Sequence, residues 1–153
     1  MSLYAPPAPP APGTSGPSGP RASFWRRFGA ALVDGIPLFV VNIVLRSAFG
    51  LGVGAALSIV IGVTYFGFFE GSASGQTIGK RALGIRVIDY GTGGPLGFGR
   101  GVVRYFARIL SSIPCLLGYF WMLWDREKQT WHDKLASDVV VPVWAYPVSS
   151  WPN

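Results

Sequence analysis

The sequence predicts an all-α membrane protein with two clear transmembrane helices, a third apolar region, and short extended segments in a cytoplasmic loop and tail. Three observations carry this expectation. Half of the 153 residues are hydrophobic and only 13% are charged, against roughly 25% charged in a soluble domain. Two apolar runs, 25–49 and 51–69, are each long enough, at about 1.5 Å per residue, to cross a hydrocarbon core of roughly 30 Å. The basic residues, which leave a net charge of +6, flank apolar runs instead of covering a polar surface. That placement marks topology and contact with anionic lipid headgroups, and argues against nucleic acid as a partner.

Residues 1–22 are rich in Pro, Ala, Gly and Ser and read as a disordered, polyproline-leaning tail. They lack the charged start and adjoining apolar segment of a secretory signal, so the first helix is expected to stay as an anchor. Residues 23–143 form one membrane domain, and 144–153 an aromatic and Pro-containing tail suited to the interface.

The first apolar run opens on Arg26-Arg27 and carries Asp34 inside it. A carboxylate there costs about 2.5–3.5 kcal/mol on insertion scales, so it needs a partner or a use. Arg27 and Asp34 are seven residues apart, on one helix face, with Asp34 about 10 Å deeper. Pro37 has no N–H, which deprives the Val33 carbonyl of its helical donor. Two readings stay open. Asp34 is either architectural, bonded to Arg27 or to a polar group on a neighbouring helix, or it exchanges a proton or Na⁺ with help from the Val33 carbonyl and Asn42.

The second run has no charge until Glu70 ends it. Gly50, Gly54, Ser58 and Gly62 recur every four residues, a stripe of small residues that marks a helix–helix interface with the first helix or with another copy. Residues 71–100 are a Gly-rich loop carrying Lys80, Arg81, Arg86 and Arg100. Arg21, Arg26 and Arg27 precede the first run, and Arg46 alone lies near the connection. By the positive-inside rule the N-terminus and this loop face the cytoplasm, which makes a multi-pass protein of the cell membrane.

The third apolar region, 102–124, begins with Arg104 and Arg108, leaving 109–124 uninterrupted by charge. Sixteen helical residues span about 24 Å, short for a crossing, and Ser111-Ser112-Ile113-Pro114 breaks the run. The region is a full span or a re-entrant pair of half-helices. An internal echo bears on this. Gln129-Thr130-Trp131-His132-Asp133-Lys134, followed by 138–141, repeats the plan of Gln76-Thr77-Ile78-Gly79-Lys80 followed by 85–88. Each copy reads as a threonine N-cap, a short helical turn and a β-branched strand. Pairing the two strands as an antiparallel ribbon requires both copies on one side of the membrane. Cys115 is the single cysteine, so no internal disulfide forms.

Three separated motifs carry a family resemblance: Arg27-x-x-Ala30-x-x-x-Asp34, then Gly75-Gln76-Thr77-x-Gly79-Lys80-Arg81-x-Leu83-Gly84-Ile85-Arg86-Val87, then Gln129-Thr130-Trp131-His132-Asp133-Lys134-Leu135-Ala136. In this order, from about residue 26 to 141, they resemble the RDD family of small multi-pass membrane proteins. The arginine and two aspartates of the family name correspond here to Arg27, Asp34 and Asp133. Asp138 departs from the family, which usually has a small hydroxyl residue before the closing valines. The resemblance implies transport of an unspecified ligand.

The chemistry legible beyond this is sparse. His132, the one histidine, adjoins Asp133, but no serine or cysteine nucleophile motif surrounds it, and no metal-ligand spacing is present. No catalysis, cofactor or metal is expected. Asp133 and His132 are expected to cap the tail or brace it against Lys80 and Arg81. Gly75-x-x-x-Gly79-Lys80 is one residue short of a phosphate loop and lacks its Ser/Thr. The site candidates are therefore Arg27, Asp34, Lys80, Arg81, His132 and Asp133. The expected function is transport of a small ligand or ion (H⁺ or Na⁺) as a homo-oligomer. The alternative is an accessory or scaffolding subunit of a larger membrane complex.

Overall fold

The structure, a computed structural model, describes residues 17, 19–113, 117–149 and 151. Cys115, Pro114 and nearly all of the Pro-rich tail lie outside them.

The first element, α1 (Phe24–Gly71), is long and apolar enough to cross a membrane. Ser23 caps its start, the hydroxyl accepting from the Arg26 N–H. Its helical geometry breaks at Gly50, where φ is 80° and ψ 168°, a region open only to glycine without strain. The backbone keeps helical φ/ψ through Pro37, whose fixed φ near −65° fits a helix although its ring removes the bond to the Val33 carbonyl. The chain turns back at Gly50. Asp34 and Tyr65 would be about 46 Å apart on a straight helix, yet the Tyr65 hydroxyl donates to Asp34 at 2.7 Å. The element is thus two antiparallel limbs, 24–49 and 51–71.

Small residues set the packing of these limbs. A Cβ at Gly54 would collide with the backbone of Leu45 and Arg46, and one at Gly62 with the Tyr105 ring. A Cβ at Gly67 would press on Phe98 and Val102. Two members of the glycine stripe, Gly54 and Gly62, are thus occupied within the chain, by the first limb and by α3 (Phe98–Ser112), while Gly50 at the turn faces open space.

The echo in the sequence folds as two matching units. Thr77 caps α2 (Ile78–Ala82) and Thr130 caps α5 (Trp131–Ala136), the latter as a full capping box with Asp133. Strands β1 (Ile85–Asp89) and β2 (Asp138–Pro142) follow and pair antiparallel, Ile85 opposite Pro142 and Asp89 opposite Asp138. The match reaches single atoms. The Gln76 side-chain amide donates to the Ile85 carbonyl at 2.9 Å, and that of Gln129 to the Asp138 carbonyl at 2.7 Å, each nine residues ahead. Gly84 and Ser137, the residues just before the strands, both take positive φ.

A two-stranded ribbon is marginal in water, and here both faces are covered. Ile85, Val87 and Val140 pack with Ala22, Ala30 and Leu96, while Ile88, Val139 and Val141 pack with Tyr90 and Tyr146. This corrects the tail boundary. Residues 19–22 do not hang free, because the Ala22 N–H donates to the Val140 carbonyl at 2.9 Å and Gly19 donates to the Tyr146 hydroxyl at 2.7 Å. The C-terminal segment also docks, Trp151 donating to the Gln76 carbonyl and stacking on Phe69.

The third apolar region bends by 111° between α3 and the short helices α4 (Leu117–Phe120) and 3₁₀ Trp121–Leu123. Gly118 lies against Ser111, so the second piece folds back along the first. Phe120 stacks on Phe24, and the Gly97 N–H donates to the Gly71 carbonyl, so both pieces reach the same end of the α1 limbs.

Candidate functional site

Asp34 is clamped by donors. Its Oδ1 accepts from the Tyr65 hydroxyl at 2.7 Å and the Gly79 N–H at 2.8 Å, and its Oδ2 accepts from the Thr77 hydroxyl at 2.5 Å. Three elements meet here: the first limb supplies the acid, the second supplies Tyr65, and the α2 unit supplies Thr77 and Gly79. The glycine is required by closeness, since a Cβ at Gly79 would strike the Ala30 carbonyl and the Asp34 carboxylate. Arg27 does not bond Asp34, correcting that alternative; the polar groups come from the second limb and α2. Of the proposed helpers, Asn42 lies farther along the limb, beside Arg46 and Ser58.

A second cluster centres on Arg104, fully buried in α3. Its Nη1 lies 2.9 Å from Glu70, its Nε 3.0 Å from Asp138, and its Nη2 donates to Asp133. The first two lie at ion-pair distance but are misaligned for hydrogen bonding. Glu70 also takes Lys80, and Arg108 at 2.8 Å. Arg104 and Arg108 are one helical turn apart and share a face. Asp133 takes Arg27 at 2.5 Å and the Thr130 N–H at 2.9 Å.

The expected brace is therefore re-partnered. Asp133 meets Arg27 and Arg104, not Lys80 and Arg81. Lys80 is taken by Glu70, its near neighbour in sequence, and Arg81 lies over the Trp151 ring at 4.5 Å. His132 sits against the Tyr119 ring at 5.1 Å, its Nδ1 without a hydrogen-bond partner.

Burial and charge divide the ionisable groups of this cap. Burial pushes the Lys80 ammonium below its usual range, with Arg104 and Arg108 adding to the effect against Glu70. Burial also holds His132 well below the ordinary imidazole value, so it is neutral. At Asp133 burial works against ionisation, but Arg27 and Arg104 outweigh it and keep the carboxyl well below the usual carboxylate range. Asp138 goes the other way. Burial, with repulsion from Asp133 and Glu70, raises it well above that range despite Arg104.

Two cavities of about 420 Å³ each adjoin these clusters. The first is lined by Arg27, Lys80, Arg104, Arg108, His132 and Asp34 among apolar side chains such as Phe28 and Phe120. The second is lined by Asn42, Arg46, Ser58 and Tyr105. They share Gly35, Leu38 and Phe66, and so form one groove along the first limb. Among the described residues no group of three His, Cys, Asp or Glu is placed to hold a metal ion.

Of the residues the sequence marks, Arg27, Asp34, Lys80 and His132 line this end of the groove, Asp133 lies behind it against Arg27 and Arg104, and Arg81 lies apart, over the Trp151 ring. Glu70, Arg104, Arg108, Asp138, Tyr65 and Thr77 join the site only through the tertiary structure. The signal for the first three was present, since charges bordering or interrupting apolar runs need partners.

The sequence matches the RDD family over residues 21–137. Over 78 residues it is 40% identical to the proline-rich antigen homolog of Mycobacterium tuberculosis, covering 51% of this chain and 32% of that protein. It is 38% identical over 78 residues to the proline-rich antigen of Mycobacterium leprae, covering 51% of this chain and 31% of that protein. The matched part is thus about a third of the length of these curated relatives. With the uncharacterized protein YxaI of Bacillus subtilis it shares 31% identity over 147 residues, 78% of this chain and 96% of that protein. No solved structure matches the chain.

Proposed function

This chain belongs to the RDD family, and on that premise we propose that it is a non-catalytic, multi-pass protein of the cell membrane that binds and transports a small ligand along the groove of its first limb. In this reading each limb of α1 crosses the bilayer and the α3–α4 region re-enters. The N-terminus, ribbon and charge clusters face the cytoplasm, where Arg21, Arg26, Arg27, Lys80, Arg81, Arg86 and Arg100 gather.

One observation carries the reading. The two adjoining cavities extend from Arg27 to Arg46, nineteen residues or about 28 Å along a helix, close to the roughly 30 Å of a hydrocarbon core. Asp34, by contrast, has both oxygens occupied by protein donors, which favours an architectural role over H⁺ or Na⁺ exchange. Transport through so small a bundle calls for further copies to enclose the path. The accessory-subunit reading draws support from one fact: Gly54 and Gly62, two glycines suited to joining copies, are used inside the chain.

The test is a stability screen of the full chain in nanodiscs against neutral, cationic and anionic amphiphiles, with wild type beside Ala31→Trp. Ala31 lines the groove one helical turn beyond Arg27 and carries no charge of its own. At least one class is expected to raise the unfolding midpoint of wild type and not of the variant. If no class does so, the groove is not a ligand site and the accessory reading takes its place.

A further inference from the structure

The wall of the first cavity is unbalanced in charge, because most of the carboxylates that serve its cations lie behind it. Four cationic residues line the first cavity, Arg27, Lys80, Arg104 and Arg108, against one carboxylate, Asp34, which is already saturated. Lys80 and Arg104 are matched by carboxylates behind them. Arg27 is matched only in part. Its Nη1 goes to Asp133, while Nε and Nη2 are buried with no hydrogen-bond partner. Arg108 spends Nη2 on Glu70 and otherwise lies 4.2 Å from the centre of the Phe66 ring.

A buried donor without an acceptor costs about 1–3 kcal/mol, and a guanidinium is shaped to return that cost by gripping an oxyanion with two parallel bonds. The rest of the wall is unsuited to a bare ion. Phe24, Phe28, Leu38, Phe66, Phe120 and Met122 surround the same space, so an occupant needs an apolar body as well as an anionic head. Arg27 is in the first turn of α1, at headgroup depth in the membrane reading. Phe28 and Phe120, 47% and 39% exposed, border the cavity on its open side, which gives a lipid a lateral way in.

We propose that this cavity holds the phosphate of one anionic phospholipid between Arg27 and Arg108, with an acyl chain laid along Phe28, Leu38 and Phe66. The assignment rests on the groove being the ligand path and names the chemical class of that ligand. Each guanidinium supplies charge-assisted hydrogen bonds to the phosphate, and the aromatic wall supplies contact for the chain.

The experiment is native mass spectrometry of the full chain released from phosphatidylcholine nanodiscs doped with phosphatidylglycerol, with phosphatidic acid and inorganic phosphate as further arms. The expected result is one retained anionic lipid per chain, preferred about tenfold over phosphatidylcholine, which is about 1.4 kcal/mol. Retention should fall about tenfold in Arg108→Gln, the size of one lost charge-assisted bond. It should vanish in Ala31→Trp, which fills the cavity without removing a charged group. Inorganic phosphate at equal concentration should not displace the lipid. Equal retention of phosphatidylcholine, blocked by Ala31→Trp, overturns the anionic headgroup while leaving the groove as a ligand path. Displacement by inorganic phosphate makes the site one for a small anion and overturns the lipid. Retention of no amphiphile, or retention indifferent to Ala31→Trp, overturns both this assignment and the reading beneath it.

Discussion

Arg27 Nη1 lies 2.5 Å from Asp133 Oδ2, across 106 residues of chain. The first turn of α1 is thereby tied to the capping box of α5, and the Asp133 oxygens also serve Arg104 and the Thr130 N–H. Removing one partner of a buried ion pair leaves the other uncompensated, at about 3–5 kcal/mol.

Asp133→Asn is accordingly expected to lose about 3–5 kcal/mol of stability in denaturant titrations of micellar protein. A double-mutant cycle of Arg27→Gln with Asp133→Asn should give a coupling of about 0.5–3 kcal/mol, and the cycle of Arg27→Gln with Asp34→Asn should be additive within about 0.5 kcal/mol. Strong coupling in the second cycle would restore the intrahelical Arg27–Asp34 pair that their spacing suggests.

The Asp34 clamp predicts a loss of stability with no loss of ion movement. Tyr65→Phe removes one hydrogen bond to a carboxylate and is expected to cost about 1.5–3 kcal/mol. Asp34→Asn turns an amide NH₂ toward at least one existing donor and should cost a similar amount. Na⁺ and H⁺ flux into proteoliposomes should be the same for Asp34→Asn and wild type. A flux that disappears in the folded variant would return Asp34 to the role of an ion site.

His132 should give the cap a pH dependence of one sign. Its folded value is depressed by burial, so below the unfolded value of about 6.5 the unfolded chain binds a proton that the folded chain refuses. Stability is therefore complete above about pH 6.5 and falls below it by about 1.4 kcal/mol per pH unit. Asp138, raised by burial, contributes the opposite slope above about pH 3.9. Comparing wild type with His132→Gln isolates the histidine, because both proteins keep Asp138. The difference in unfolding free energy should shift in favour of the variant between pH 6.5 and 5, and parallel curves would show that His132 is not buried neutral.

The two left-handed positions before the strands hold different residues, Gly84 at φ 63° and Ser137 at φ 52°. A side chain in this region costs about 1–2 kcal/mol, less the extra freedom glycine has when unfolded. Ser137→Gly should therefore stabilise by about 0.5–1 kcal/mol and Gly84→Ala destabilise by about 1 kcal/mol. An added Cβ at Gly84 would touch only Arg26 Nη1 at 3.7 Å, so the loss reports backbone strain and not crowding. Opposite shifts in the unfolding midpoint are the expected pair.

Much of this fold is legible in the sequence, because its signals are local. The apolar runs and Gly50 specify two limbs and the break between them. Thr77 and Thr130, each followed by a short turn and a β-branched strand, specify two cap units and permit the ribbon that forms. The glycine stripe specifies a close contact but not its partner, since a missing side chain says only that something comes near. Residues 19–22 read as tail by composition, yet the open edge of β2 offers Ala22 a carbonyl to bond.

Spacing along a helix determined which side chains share a face, and the charges beside apolar runs determined that partners had to exist. Only the tertiary structure decided which partners these are. Arg27 and Asp34 share a face, but the ribbon brings Asp133 to Arg27, and the turn at Gly50 brings Tyr65 to Asp34. The pairings close loops of 106 and 31 residues. Local pattern carries no information about such closures until the strands have paired and the limbs have folded back.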